Sequence, residues 1–357
     1  MTGRRTYLDH AATTPLLPAA RAAMTAALEA WANPSSPHGE GRRAGAALED
    51  ARARIAESLA VRADGLVFTS GASEALGLAM ARVRRPRRLV SAVEHDAVLR
   101  ADPAARRVPV GPDGLIDRDR LAALLDGAPA LVAVQHVNNE TGVIQPLADV
   151  ADLVRRGGGV LLVDAAQSAG KLPLPDADLI ALSAHKMGGP PGIGALVVRD
   201  FDLLEASGGQ ERGYRGGTEN LPAILGWAAA LAAAPAWLDR AGALRQRLET
   251  ALTAAGAEIV ATDAPRLATI GAVRMAGVEA ATQLIHFDMA GIAVSAGAAC
   301  SSGSMKPSHV LAAMGMAGGA EREVVRVSFG PDTSEAEVDA FVAAWQTLRE
   351  RSRRRAA

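Results

Sequence analysis

Residues 179–186 read Leu-Ile-Ala-Leu-Ser-Ala-His-Lys, an apolar run that closes on a single lysine. The run Leu179 to Leu182 has the length and apolar continuity of a buried strand, which places Lys186 just past a strand end. Open α/β sheets hold their ligands at those ends. A lysine there, once buried, is pushed toward its neutral form. A neutral amine condenses with carbonyls, the usual covalent role of lysine in cofactor chemistry. A solvated surface lysine is the ordinary alternative, and the residues upstream decide between the two.

Four earlier stretches repeat the pattern of an apolar run that ends in polar residues. Residues 159–170, GVLLVDAAQSAG, carry Asp164 and Gln167 at the end of their run. Residues 130–142, ALVAVQHVNNETG, end in Asn138, Asn139 and Glu140, and residues 87–99, RRLVSAVEHDAVL, put His95 at a strand-to-helix junction. Residues 66–80, LVFTSGASEALGLAM, pass through Gly71 into a helix opened by Ala72 and Ser73. Free N–H groups and the positive dipole end make such a turn an anion site that suits a phosphate. Strand alternating with helix predicts an α/β fold whose central sheet is mostly parallel, with helices on both faces. The polar strand ends then converge on one crevice.

The bulk composition narrows the function classes. The 357 residues suit a large domain plus a smaller one. A net charge of −1, from 38 basic and 39 acidic residues, gives no electrostatic reason to expect nucleic acid or a membrane as partner. No stretch approaches the length of a membrane span, and the N-terminus has no apolar signal core, so a cytoplasmic protein is expected. Cys300 is the one cysteine, which rules out an internal disulfide and a multi-cysteine zinc site, and no metal centre is expected. Aromatic residues make up only 3%, which argues against a single-strand nucleic-acid binder.

Along the rest of the chain, helices are expected from Pro18 to Trp31, Ala44 to Leu59, Pro146 to Arg156, Leu238 to Ala255 and Val278 to Met289. Short strands are expected near Glu258 and Ala268 and in VVRVSF, which carries Arg326. Ser334 with Glu337 has the spacing of a capping box opening a last helix.

The residue types at the strand ends suit one cofactor, pyridoxal 5'-phosphate. Lys186 would hold its aldehyde, and Asp164 would keep the pyridine nitrogen protonated so that the ring draws electrons. His95 offers a flat ring to stack on it, and Gln167 a donor for the phenolic oxygen. Ser73 with its helix N-terminus, Ser183 and His185 would take the phosphate.

At this point the chain resembles the cysteine desulfurases, pyridoxal-phosphate enzymes of the class V aminotransferase fold, in their NifS/IscS-like branch. The matching stretches run nearly end to end, from YLDHAATTP and NPSSPH through FTSGASE, EHDAVL, HVNNETG, VDAAQSAGK and SAHK to ERGYRGGTEN and SAGAACSSGSMKPSHVL. The resemblance implies fold type I, with a large cofactor-binding domain over 15–235 and a smaller α+β domain built from 1–14 and 236–357. It implies cofactor contacts from Ala72, Ser73, His95, Asn139, Asp164, Gln167, Ser183, His185 and Lys186. It also implies a homodimer with shared sites, in which Thr218 reaches the phosphate of the neighbouring subunit.

Asn33, Asn139 and Arg326 would bind the substrate carboxylate of L-cysteine, a task that suits a planar guanidinium. Cys300 would be the nucleophile, set in a run of small residues. In the implied reaction Lys186 moves the α-proton, His95 serves as a further proton donor or acceptor, and the Cys300 thiolate attacks the substrate sulfur. Alanine leaves, and Cys300 keeps a persulfide for a sulfur-acceptor protein, whether an iron–sulfur scaffold or a thiolation enzyme. The segments between His95 and Asn139 and between Gln167 and Lys186 are shorter than is usual for the family, which leaves the acceptor open. Selenocysteine lyase, a transaminase that needs no cysteine, and a non-catalytic binding protein are the rival readings.

Overall fold

The computed structural model describes residues 5–29, 31–125, 127–234, 237–297 and 307–356. Cys300 lies outside the described residues. The chain opens with strand β1 (Thr6–Tyr7) and helices α1 (Pro18–Leu28) and α2 (Gly39–Ser58), followed by β2 (Leu66–Thr69), α3 (Ala72–Arg82), β3 (Arg87–Ser91), α4 (Asp96–Ala101) and β4 (Arg106–Val108). The middle adds α5 (Arg118–Leu125), β5 (Ala130–Gln135), α6 (Leu147–Arg156), β6 (Val160–Asp164), β7 (Leu179–Ser183), β8 (Gly194–Val198) and α7 (Leu221–Ala232). The remainder is α8 (Leu238–Ala254), β9 (Glu258–Ile259), β10 (Ile270–Arg274), α9 (Ala280–Met289), β11 (Ile292–Ala293), α10 (His309–Ala313), β12 (Val324–Ser328) and α11 (Glu335–Ala356).

Seven strands form one sheet in the order β2-β8-β7-β6-β5-β3-β4, parallel throughout except for β8, which runs antiparallel to both neighbours. The fold is the expected α/β class with a mostly parallel central sheet. Every residue of β5, β6 and β7 is buried, as both-face coverage by helices requires. One face packs Leu48 and Ile55 of α2, Val150 of α6 and Trp227 of α7 against Val132 and Leu182. The other packs Leu76 and Met80 of α3 against Val90, Leu162 and Leu196. In α6 the buried residues Leu147, Val150, Ala151 and Val154 fall at the i, i+3, i+4, i+7 spacing of a single apolar stripe.

A second cluster gathers Leu244 and Leu248 of α8, Phe287 of α9 and Phe341 and Trp345 of α11 around the antiparallel sheet β12-β10-β9. The N-terminus joins this cluster, because β1 pairs in parallel with β11 and Leu8 is buried there. The capping box forms as the sequence predicts: Ser334 N–H donates to Glu337 Oε2 at 2.9 Å, and Glu337 N–H donates back to Ser334 Oγ at 3.3 Å.

Two element starts differ from expectation. Helix α2 begins at Gly39, five residues before Ala44, capped by His38, whose Nδ1 accepts from Gly41 N–H at 3.3 Å. Gly41 is there for space, since a Cβ would come within 2.2 Å of the Ser36 carbonyl oxygen. Strand β10 starts at Ile270, because the residues before it turn to let Leu267 N–H donate to the Gly142 carbonyl at 2.8 Å.

Candidate active site

The strand ends do converge. Register pairs Gln135 with Asp164 and Asp164 with Ala181, so the ends of β5, β6 and β7 lie side by side. A crevice of about 380 Å³ opens over them, lined by His95, Asn139, Asp164, Gln167, His185 and Lys186. Ala72, Ser73 and Ser183 close its other side.

Helix α3 points its N-terminus into this crevice. The first intrahelical bond is Ala75 N–H to the Gly71 carbonyl, which leaves the N–H groups of Ala72, Ser73 and Glu74 without a helical acceptor. Gly71 holds φ at +152°, where only glycine is unstrained. Gly194 of β8 lies so close that a Cβ there would sit 2.7 Å from Gly71 Cα. Glu74 steadies the turn by accepting from Ser70 N–H and pairing with Arg215 at 3.2 Å. The result is an anion cradle made of backbone.

Lys186 follows β7 on a 3₁₀ turn, Ala184–Met187, that ends at the left-handed Gly188. Burial pushes its amine down to about 8, while the Asp164 carboxyl pulls the other way. His185 beside it is pushed down to about 4, by burial first and then by the charge of Lys186, and its Nδ1 lies 3.1 Å from Thr13 Oγ1. His95 caps α4, with Nδ1 accepting from Ala97 N–H at 3.1 Å, so the neutral ring carries its proton on Nε2. Burial lowers the pKa of His95 from its ordinary value.

Asp164 is buried, with Oδ1 accepting from Ala166 N–H at 2.9 Å, and among the described residues it makes no ion pair. A buried carboxyl left this way calls for a cationic N–H from a ligand. Gln167 is also buried. Its Nε2 donates to the Ala11 carbonyl at 2.8 Å, while Oε1 has no protein partner among the described residues. The expected donation from Gln167 to a cofactor oxygen is therefore met only by the second hydrogen of an amide already committed to Ala11.

The remaining expected residues lie away from the crevice lining. Arg326 of β12 is buried, with Nη1 donating to the Asn139 carbonyl at 2.9 Å and Nη2 to Asp9 Oδ1 at 2.7 Å, while Nε has no partner among the described residues. Asn33 is exposed, and its Oδ1 accepts from Ser35 N–H at 2.9 Å in a turn. Thr218 is exposed on the segment after Glu211, whose carboxylate is buried against Arg52 with two bonds of 2.8 Å.

Sequence reading missed several neighbours. Glu94, fully buried next to His95, accepts from Gln135 N–H at 2.8 Å, and burial raises it well above the carboxylate range. Its signal was a carboxylate at the end of an apolar run. Glu140 accepts from Ser308 Oγ at 2.6 Å, and His309 donates to the Glu94 carbonyl at 2.9 Å, so α10 is tied to the strand-end loops. Asp9 as the partner of Arg326 left no local signal, because 317 positions separate them.

The class-V aminotransferase family matches residues 6–341. The chain is 39% identical to a cysteine desulfurase of Cereibacter sphaeroides, over 94% of this chain and 93% of that one. The chain belongs to the cysteine desulfurase family. An IscS-like cysteine desulfurase of Mycobacterium tuberculosis is 36% identical over 98% of both chains. A solved NifS-like protein from Rickettsia africae superposes with a TM-score of 0.89 at 28% identity, over 97% of this chain and 99% of that one. The family's fold type I agrees with the observed sheet. Among the described residues no helix is long and apolar enough to cross a membrane, and no cluster of side chains would hold a metal ion.

Proposed function

We propose that this cysteine desulfurase family member takes sulfur from L-cysteine, releasing L-alanine and leaving a persulfide on Cys300 for a sulfur-acceptor protein. The observation that carries the reading is the pairing of chemistries at adjacent strand ends. Asp164 is a buried carboxyl that makes no ion pair among the described residues, and Lys186 is a half-buried lysine whose amine is pushed to about 8. Pyridoxal 5'-phosphate fits this pair, since Asp164 would meet its pyridine N–H, the α3 cradle its phosphate and Lys186 its aldehyde. When bound it supplies an electron sink that makes the substrate α-proton removable.

The chain's own groups do the rest. The Lys186 amine, pushed down to about 8 and so neutral far more often than an ordinary lysine, takes and returns the α-proton. His95, whose neutral ring carries its proton on Nε2, lines the crevice and would offer that ring to the cofactor. Arg326, held by Asp9 and the Asn139 carbonyl, keeps a fixed guanidinium near the substrate carboxylate, with Asn33 and Asn139 assisting. The Cys300 thiolate bonds to the substrate sulfur and the carbon–sulfur bond breaks, so cysteine plus one thiol gives alanine plus one persulfide, with atoms and electrons balanced. We assign residues 15–235 to the cofactor domain and 1–14 with 236–357 to the smaller one. The exposed Thr218 fits a homodimer in which it serves the partner's phosphate site. The chain acts in the cytoplasm in this reading.

The test is to incubate the purified protein with pyridoxal 5'-phosphate, L-cysteine and a reductant, and to assay alanine and sulfide together. Equal amounts of both, lost in Cys300→Ala, support the reading. A keto acid in place of alanine, retained in Cys300→Ala, points to the transaminase alternative.

A further inference from the structure

Lys171 is a second lysine beside the crevice, and the chemistry above leaves it unused. It follows β6 by a short turn, and its Nζ donates to the Gln167 carbonyl at 3.1 Å. A cavity of about 30 Å³ is lined by both Lys171 and Lys186, with Leu231, Met187 and Trp237 as apolar walls. That volume accommodates one water, and two amines with a carbonyl supply the polar partners a buried water needs. Among the described residues neither lysine makes an ion pair.

Two amines facing one small cavity disfavour each other's charge. Burial, and then the charge of Lys186, pushes Lys171 down to about 7. Linkage makes the effect reciprocal: if a charged Lys186 weakens the proton on Lys171, a charged Lys171 weakens the proton on Lys186 by the same factor. The groups facing the pair do not cancel this. On the Lys171 side stands His10, itself pushed to about 4 by burial and then by Lys171, with Asp332 and Glu337 farther out. On the Lys186 side stand Asp164 and Asp9, offset by Arg326.

We propose that Lys171 is a positioning residue for Lys186, the two amines facing one small cavity so that a proton on either disfavours a proton on the other. The pair is the cationic counterpart of two carboxyls that share a proton, and it titrates as a unit. A charged Lys171 holds Lys186 neutral and able to take the α-proton, and a neutral Lys171 offers a proton on Lys186 a way off the crevice. This inference rests on Lys186 being the reacting amine.

The experiment reads amine titration in the full chain by trace acylation against pH, with each lysine quantified by peptide mass spectrometry. In Lys186→Met the reactivity midpoint of Lys171 rises from about 7 by about one unit, so that its acylation at pH 7 slows about fivefold. In Lys171→Arg, where the second charge is permanent, the midpoint of Lys186 falls below about 8. Retention of both midpoints in both variants would overturn the proposal. So would a rise of the Lys186 midpoint in Lys171→Arg. None of these readouts depends on turnover, so a failure to make alanine would sink the desulfurase reading while leaving the coupling of the amines to be judged on its own.

Discussion

Arg52, buried, and Lys186, half-buried, are both cationic side chains set against the same sheet, and their surroundings are opposite. Arg52 grips Glu211 through two bonds of 2.8 Å, donates to the Leu66 carbonyl at 2.7 Å and lies 4.5 Å over the Phe68 ring. Burial alone would depress its guanidinium, but the Glu211 carboxylate outweighs it and holds the charge above its ordinary strength. Glu211 in turn accepts from Phe68 N–H at 2.8 Å, and this seat holds Glu211 and Arg212 at φ of +49° and +57°. Lys186 has no such partner among the described residues, and burial moves its amine to about 8. The fully paired charge locks a segment in place, whereas the under-paired one is left free to exchange a proton. Asp164, Gln167 Oε1 and Lys171 share the second condition, the first two lining the crevice and Lys171 the small cavity beside it.

The contrast is sharpest in Asp164→Ala. Losing the carboxyl that fits the cofactor nitrogen should lower turnover by about 10²–10⁴-fold, while stability in urea falls by only about 1 kcal/mol, because the carboxyl makes one bond, from Ala166 N–H, and no ion pair among the described residues. A stability loss as large as a paired site gives would break the distinction. Glu211→Gln makes the converse prediction. Removing one partner of a buried ion pair leaves Arg52 uncompensated and should cost about 3–5 kcal/mol in urea unfolding. A change under about 1 kcal/mol would show that the seat carries little.

A smaller effect comes from His10, which is buried and held at about 4, against about 6.5 unfolded. Between those values the unfolded chain binds the extra proton, so the contribution is complete above about pH 6.5 and is lost as pH falls toward 4. The loss between pH 7 and pH 5 should be about 2 kcal/mol, and His10→Gln should remove that part of the pH dependence. An unchanged pH slope in the variant would place the titration elsewhere.

These differences also explain what the sequence could and could not disclose. Lys186, Asp164, His95 and Asn139 were legible because each stands at the end of an apolar run, and in a parallel sheet those ends must meet. The capping box of Ser334 and Glu337 was legible because it is local, spanning three residues. The pairs Arg52–Glu211 and Asp9–Arg326 were not, since 159 and 317 positions separate the partners and no periodicity connects them. The start of α2 was misplaced because Gly39 and Gly41 read as helix breakers, when Gly41 is demanded by the approach of Ser36. Lys171 was hidden by its neighbour, because its interest arises only from the cavity it shares with Lys186.

The most direct test of the account is to load the protein with pyridoxal 5'-phosphate, reduce it with borohydride and map the modified peptide by mass spectrometry. The account predicts the pyridoxyl group on Lys186, with Lys171 unmodified. A label on Lys171, or no label on either lysine, would contradict the claim that the under-paired amine after β7 is the one that reacts.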